Sequence, residues 1–161
     1  MDYLKAEPAE AKMFDPDIIG ITESWTDDKI SDAEIQIEGF EVFRQDRLIG
    51  KGGGVLLYIR DSLVTSAIKL DNVFPEHVWC KLRYNGQNEL LVGVCYRTPT
   101  ENVYGHIAHE QLRDLIQEVS NRDFILMGDF NYKGIDWINN CCDNSSADSR
   151  LFLECVNISV L

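Results

Sequence analysis

The chain has 161 residues, 45% of them hydrophobic, and a formal net charge of −12, which suits one globular domain with its own core and is too little for two comfortable ones. No apolar run reaches the roughly 18–20 residues that cross a bilayer. The charged start Met1-Asp2-Tyr3-Leu4-Lys5-Ala6-Glu7 lacks the apolar stretch of a secretory signal, so an intracellular location without membrane association is expected. An excess of 27 acidic over 15 basic side chains excludes a basic nucleic-acid-binding face as a global property.

Residues 2–13 are expected to form a short helix interrupted by Pro8, whose ring breaks the hydrogen-bond ladder. Asp15-Pro16-Asp17 is a turn, and the branched apolar run Ile18-Ile19-Gly20-Ile21 predicts a buried strand. Ser31-Asp32-Ala33-Glu34 can cap a brief helix through Ile37, since a serine followed three residues later by a glutamate satisfies the first backbone N–H groups. Glu41 to Gln45 is a strand, a polar loop ends in Gly52-Gly53-Gly54, and Val55-Leu56-Leu57-Tyr58-Ile59 is a further strand. Val64 to Leu70 is another. Val78, Cys80, Leu82 and Tyr84 then alternate with Trp79, Lys81 and Arg83, a strand with two different faces. Asn85-Gly86-Gln87-Asn88 forms the hairpin turn, and Leu90 to Tyr96 returns as its partner. Residues 103–120 carry Leu112, Leu115, Ile116 and Val119 at helical spacing. Phe124-Ile125-Leu126-Met127 is a last short strand, and a helix over Ala147 to Val156 turns Leu151, Phe152 and Cys155 inward. Many strands and few helices predict an α/β or α+β sandwich with helices outside.

The charge is unevenly spread: net −8 over residues 1–50, +2 over 51–100 and −6 over 101–161. The middle segment, with Lys51, Arg60, Lys69, Lys81, Arg83 and Arg97, supplies the only positive strip. The five cysteines are odd in number and include no Cys-x-x-Cys pair, so no disulfide framework is expected. Cys80 and Cys95 fit small core positions, and the adjacent Cys141-Cys142 pair has the wrong spacing for zinc.

Two carboxylates stand at the C-terminal ends of apolar strands, Glu23 and Asp129. Strand ends are where open sites of α/β sheets are built. A hard divalent cation needs oxygen ligands and is often held by one or two carboxylates plus substrate phosphate. Asn131 lies two residues beyond Asp129, on the same face in extended backbone. Tyr96, also at a strand end, offers a phenol to a phosphate. Capping and turn roles are the competing reading for the Asp and Asn residues.

Four segments, in this order, resemble one family. Asp15-Pro16-Asp17-Ile18-Ile19-Gly20-Ile21-Thr22-Glu23-Ser24-Trp25 resembles the first metal-site motif of the endonuclease/exonuclease/phosphatase family. Gly52-Gly53-Gly54-Val55-Leu56-Leu57-Tyr58-Ile59 is similar to the glycine-led strand of its retrotransposon branch. Tyr96-Arg97-Thr98-Pro99 and Ile125-Leu126-Met127-Gly128-Asp129-Phe130-Asn131 resemble its tyrosine motif and its most recognisable segment. The Glu-Ser-Trp and Tyr-Arg-x-Pro details are most similar to the apurinic-endonuclease-like domain of non-LTR retrotransposons, and fit a lipid or inositol phosphatase less well.

The resemblance implies a four-layered α/β sandwich of the DNase-like type and a phosphodiesterase that nicks DNA with Mg2+, or Mn2+ in its place. It makes Glu23 the metal ligand and has Tyr96 contact the scissile phosphate. Asp129 would position and deprotonate the attacking water, and Asn131 would steady the transition state. Metal Lewis acidity and a pre-positioned nucleophile are the physical logic. Arg97 would add charge near the substrate phosphate, with a strand-end salt bridge as the alternative. DNA is the implied partner, without a small-molecule cofactor, and the nucleus the implied location. The resemblance also puts an Asn-bearing strand before this chain, and an Asp and a Ser-Asp-His segment after Leu161. A single partial domain over residues 1–161 is therefore expected. A non-catalytic remnant or binding domain of the same fold is the alternative.

Other residues draw weaker readings. His106 and His109 are half a zinc site without further ligands. Lys51-Gly52-Gly53-Gly54 lacks the Gly-Lys-Ser/Thr ending of a phosphate loop. Trp79 is a sheet-face packing residue, whereas Trp137 is equally suited to packing and to stacking on bases.

Overall fold

The computed structural model describes residues 15–99, 106–143 and 146–159; the helix expected over 2–13 and the start of the one expected over 103–120 lie outside them. Along the chain run β1 (Ile18–Thr22), α1 (Asp32–Ile35), β2 (Phe40–Gln45), β3 (Val55–Arg60), β4 (Val64–Ile68) and β5 (His77–Tyr84). They are followed by β6 (Asn88–Tyr96), α2 (Ile107–Val119), β7 (Phe124–Asp129), β8 (Ile135–Asp136), β9 (Cys141–Cys142) and α3 (Ala147–Ser159). One sheet has the order β1-β3-β2, a second β4-β5-β6-β7, and β8 pairs with β9. All pairs are antiparallel except β6 with β7, which are joined by a crossover containing α2, as parallel neighbours require.

Apolar residues occupy every position of Val55–Ile59 because β3 is covered on both faces. Val55, Leu57 and Ile59 pack against Cys80, Leu82, Val92, Val94 and Tyr96 of the second sheet. Leu56 and Tyr58 point the other way, onto Ile35 and Phe40. On the far face of the second sheet, Trp79, Leu91 and Cys95 meet Leu112, Leu115, Ile116 and Val119 of α2 and Phe152 of α3. The described residues thus stack as short α1, sheet, sheet, and paired helices: an α/β sandwich with helices outside, as expected. Gly20 sets the sheet spacing near the site. A Cβ there would come within 2.9 Å of Val94 and 3.2 Å of Met127, so only glycine lets β1 approach β6 and β7 so closely.

Several boundaries differ from expectation. α1 ends at Ile35 rather than Ile37, because Gln36 is already extended. The glutamate half of its cap forms, with the Glu34 carboxylate accepting from the N–H and Oγ of Ser31, both at 2.9 Å. β4 stops at Ile68, two residues short of Leu70. The hairpin loop is Asn85-Gly86-Gln87, with Asn88 already paired to Tyr84. α3 runs on to Ser159. Leu151 faces outward, and the buried stripe is Ser149, Phe152 and Leu153, the i, i+3, i+4 spacing of one helix face; Leu151 falls beside it.

Candidate functional site

The close approach of the sheets brings three C-terminal strand ends to one rim. Glu23 is the first residue after β1, Tyr96 the last of β6 and Asp129 the last of β7, with Tyr96 and Asp129 in register. The Tyr96 hydroxyl donates to Oε1 of Glu23 at 2.7 Å, across 73 residues of chain. Burial pushes the Tyr96 phenol up to about 12, helped by the hydrogen bond to the Glu23 carboxylate and opposed by the nearby Arg47 charge. Tyr96 therefore stays a neutral donor at any physiological pH. Its ring is 4% exposed, whereas Glu23 and Asp129 are open to solvent.

A buried ion pair supports both partners. Glu76 is fully buried and accepts from Nε and a terminal nitrogen of Arg47 at 3.0 and 2.8 Å. Its second oxygen accepts the Gly54 N–H at 2.6 Å. The carbonyls of Gly54 and Gly53 in turn accept the N–H groups of Ser24 (3.3 Å) and Trp25 (2.9 Å), directly after Glu23. On the other side, the Glu76 carbonyl accepts the Tyr96 N–H at 2.9 Å, and the Arg47 guanidinium lies 5.7 Å from the Tyr96 ring centre. Gly53 has no alternative here: its φ is +70°, and a Cβ would fall 2.3 Å from both Arg47 and Glu76. Sequence reasoning missed Glu76 and Arg47, because a lone glutamate after Phe74-Pro75 and an arginine in a polar loop carry no local signal.

The loop after β7 is equally constrained. Gly128 lies against β6, where a Cβ would collide with the Cys95 carbonyl at 1.9 Å. The Asn131 N–H donates to Asp129 Oδ1 at 3.1 Å, and its side-chain amide donates to the Arg97 carbonyl at 2.7 Å. Arg97 is 6% exposed. Its guanidinium donates to the carbonyls of Phe130 (2.7 Å) and Asn131 (2.5 Å) and stacks 4.3 Å over the Tyr132 ring. Arg97 thus braces this loop from beneath. Among the described residues, six outside glycine have left-handed φ; Glu23 (53°), Trp25 (55°) and Asn131 (55°) are three of them. Such backbone persists only where its surroundings over-determine it, and it clusters at functional sites.

Some of the weaker candidates are held by packing. His109 shares a 3.0 Å hydrogen bond with the Tyr132 hydroxyl and sits 3.8 Å from Asp148, so it belongs to an aromatic cluster that seats the β7 loop on α3. Tyr132 stacks on Phe152 at 4.3 Å, and Trp137 lies 6.2 Å from Phe130 and 6.3 Å from Phe152. Trp79 is buried, as expected. No group of three or more His, Cys, Asp or Glu suited to a metal occurs among the described residues. The oxygen donors at Glu23 fit a hard cation held by a single carboxylate and completed by water and substrate oxygens. No helix among the described residues is long and apolar enough to cross a membrane.

Among the solved structures of similar fold, three illustrate the likeness. They are the endonuclease domain of TRAS1, a telomere-specific non-LTR retrotransposon (16% identity, 99% of this chain and 66% of that one, TM-score 0.65); the AP endonuclease LMAP from Leishmania major (13%, 98% and 62%, 0.68); and ANGEL2, a 2',3'-cyclic phosphatase (19%, 79% and 42%, 0.59). At these identities the likeness is one of fold, and the chain spans 66% or less of each. No curated protein sequence matches it. A family model, the Endonuclease/Exonuclease/phosphatase family, matches residues 1–140. That match takes in every element carrying Glu23, Tyr96 and Asp129, and the chain belongs to the Endonuclease/Exonuclease/phosphatase family.

Proposed function

We propose that this domain hydrolyses phosphodiester bonds of DNA with a divalent cation, Mg2+ by preference, in the manner of a non-LTR retrotransposon endonuclease. The observation that carries the reading is the 2.7 Å bond from Tyr96 to Glu23, which fixes a carboxylate at the rim where Asp129 also ends its strand. Family membership and the nuclease-like neighbours support a nucleic-acid substrate. Glu23 would hold the cation, which when bound supplies Lewis acidity at a phosphate oxygen. Tyr96, a neutral phenol with a single proton, locks one carboxylate oxygen in place in the free protein and would turn that proton to the phosphate once the cation takes up the carboxylate. Asp129, oriented by the Asn131 N–H, takes the proton of the attacking water. Asn131 has a second amide proton beyond the one given to Arg97, and this donates to the charge that develops on phosphorus-bound oxygen. Arg97 serves as a positioning residue for that loop.

The test is nicking of supercoiled plasmid in Mg2+ and in chelator. Glu23→Ala and Asp129→Ala are each expected to lower the rate by roughly a hundredfold or more. Nicking that neither substitution changes would refute the site. A cooperatively folded wild-type chain that nicks no DNA selects the non-catalytic alternative.

A further inference from the structure

We propose that the Trp25 indole is a stacking platform for a nucleobase next to the scissile phosphate, an inference that rests on the phosphodiesterase reading above. Trp25 is 65% exposed, yet it is held from several sides. Its N–H donates to the Gly53 carbonyl at 2.9 Å, and its indole nitrogen lies 3.5 Å from Oε2 of Glu23. The ring edge rests over Gly52, where a Cβ would sit 3.2–3.6 Å from Cε2, Cζ2 and Nε1. Both neighbours are buried: Ser24 and Thr26 are 6% and 5% exposed. Their hydroxyls are 2.9 Å apart, and Thr26 donates to Asp46 at 2.7 Å, which is itself clamped by Arg44. A core role does not account for a large ring left mostly in water. An aromatic side chain ordered before binding loses little freedom when a ligand lands on it, which favours stacking.

The neighbourhood specifies the ligand. The indole is within reach of the carboxylate that would hold the cation and its phosphate, so the ligand needs an anionic group at Glu23 and a flat apolar group beside it. A nucleotide has both, separated by one sugar. Leu48 (78% exposed) and Ile49 (65% exposed) and the exposed Lys51 lie in the same connection as Gly52, adding apolar surface and a cation for the adjoining strand. A phosphate ester without a base would leave the ring uncovered.

The test is binding of labelled short oligonucleotides by fluorescence anisotropy in Mg2+, with Asp129→Ala as the common background so that cleavage is suppressed while Glu23 stays in place. The probes are single-stranded DNA, the same sequence as RNA, an abasic oligonucleotide and inorganic polyphosphate. Trp25→Ala is expected to weaken binding of the base-bearing strand by roughly five- to 150-fold, and Trp25→Phe to restore most of it. Abasic DNA and polyphosphate should bind both variants alike. An effect with DNA alone, RNA alone or both supports the platform and assigns its sugar preference. Unchanged affinity in Trp25→Ala, an equal loss with abasic DNA, or no binding of any oligonucleotide overturns it. If plasmid nicking requires Glu23 and Asp129 while Trp25→Ala behaves as wild type, the platform fails and the phosphodiesterase reading stands. Base-dependent binding without nicking is the reverse.

Discussion

Replacing Glu76 with glutamine changes one oxygen for a nitrogen, but at a site that has no room for it. Glu76 is fully buried, and Arg47 is 7% exposed at its side chain. One glutamate oxygen takes two Arg47 donors and the other takes the Gly54 N–H. A glutamine must turn its NH2 toward one of those donors, so either the Gly54 N–H or the two Arg47 nitrogens that Glu76 takes lose that acceptor, while the third Arg47 nitrogen keeps the Lys51 carbonyl. It also leaves the Arg47 charge buried without its counter-ion. Breaking a buried pair from one side costs about 3–5 kcal/mol, a large share of the ~5–15 kcal/mol that holds a domain together. With a urea slope of about 2 kcal/mol per M, the midpoint should fall by about 1.5–2.5 M. Nicking should also fall at denaturant concentrations where the variant is still folded, because Gly54 and Tyr96 lose their common support. Lys81–Glu89, 3.1 Å apart with side chains 34% and 44% exposed, is the control: Glu89→Gln should cost less than about 1 kcal/mol. A Glu76→Gln midpoint shift under about 0.5 M, matching the control, with nicking unchanged, would refute the strut.

Two further predictions follow from burial. Tyr96 and Tyr132 are both pushed up to about 12 from an ordinary value of 10.0, mainly by burial. Between those values the unfolded chain loses phenolic protons that the folded chain retains, so stability is kept below pH 10 and lost as pH rises through about 12. Phenolate absorbance of the folded protein, compared with the urea midpoint over the same range, checks this; phenols that all titrate near the ordinary value would contradict it. Cys80 and Cys95 are buried, and burial pushes both thiols up, Cys80 to about 12, whereas Cys141 is exposed. Alkylation followed by peptide mapping should find Cys141 labelled first and Cys80 and Cys95 only on unfolding. Early labelling of Cys95 would show that the packing of β6 against α2 is wrong.

Local pattern is enough to locate most strands and three residues of the candidate site. Val55–Ile59 is uninterruptedly apolar because both faces are covered, and β5 alternates because its faces differ in surroundings; both facts are written in side-chain order. Glu23, Tyr96 and Asp129 stand where an apolar run gives way to polar loop, so their strand-end position could be read without coordinates. Leu151 was misplaced because the 3.6-residue period alone leaves the phase of a short helix open, and packing against α2 chooses it. Only the tertiary structure decided that β1, β6 and β7 end at one rim, since strand order and the approach permitted by Gly20 are long-range properties. It also decided that Glu76 pairs with Arg47, 29 residues away, and that Arg97 braces a loop from beneath. A charge in a polar loop or beside a proline has no local preference that reveals its partner; burial creates the need for a counter-ion, and burial exists only once the sheets have met.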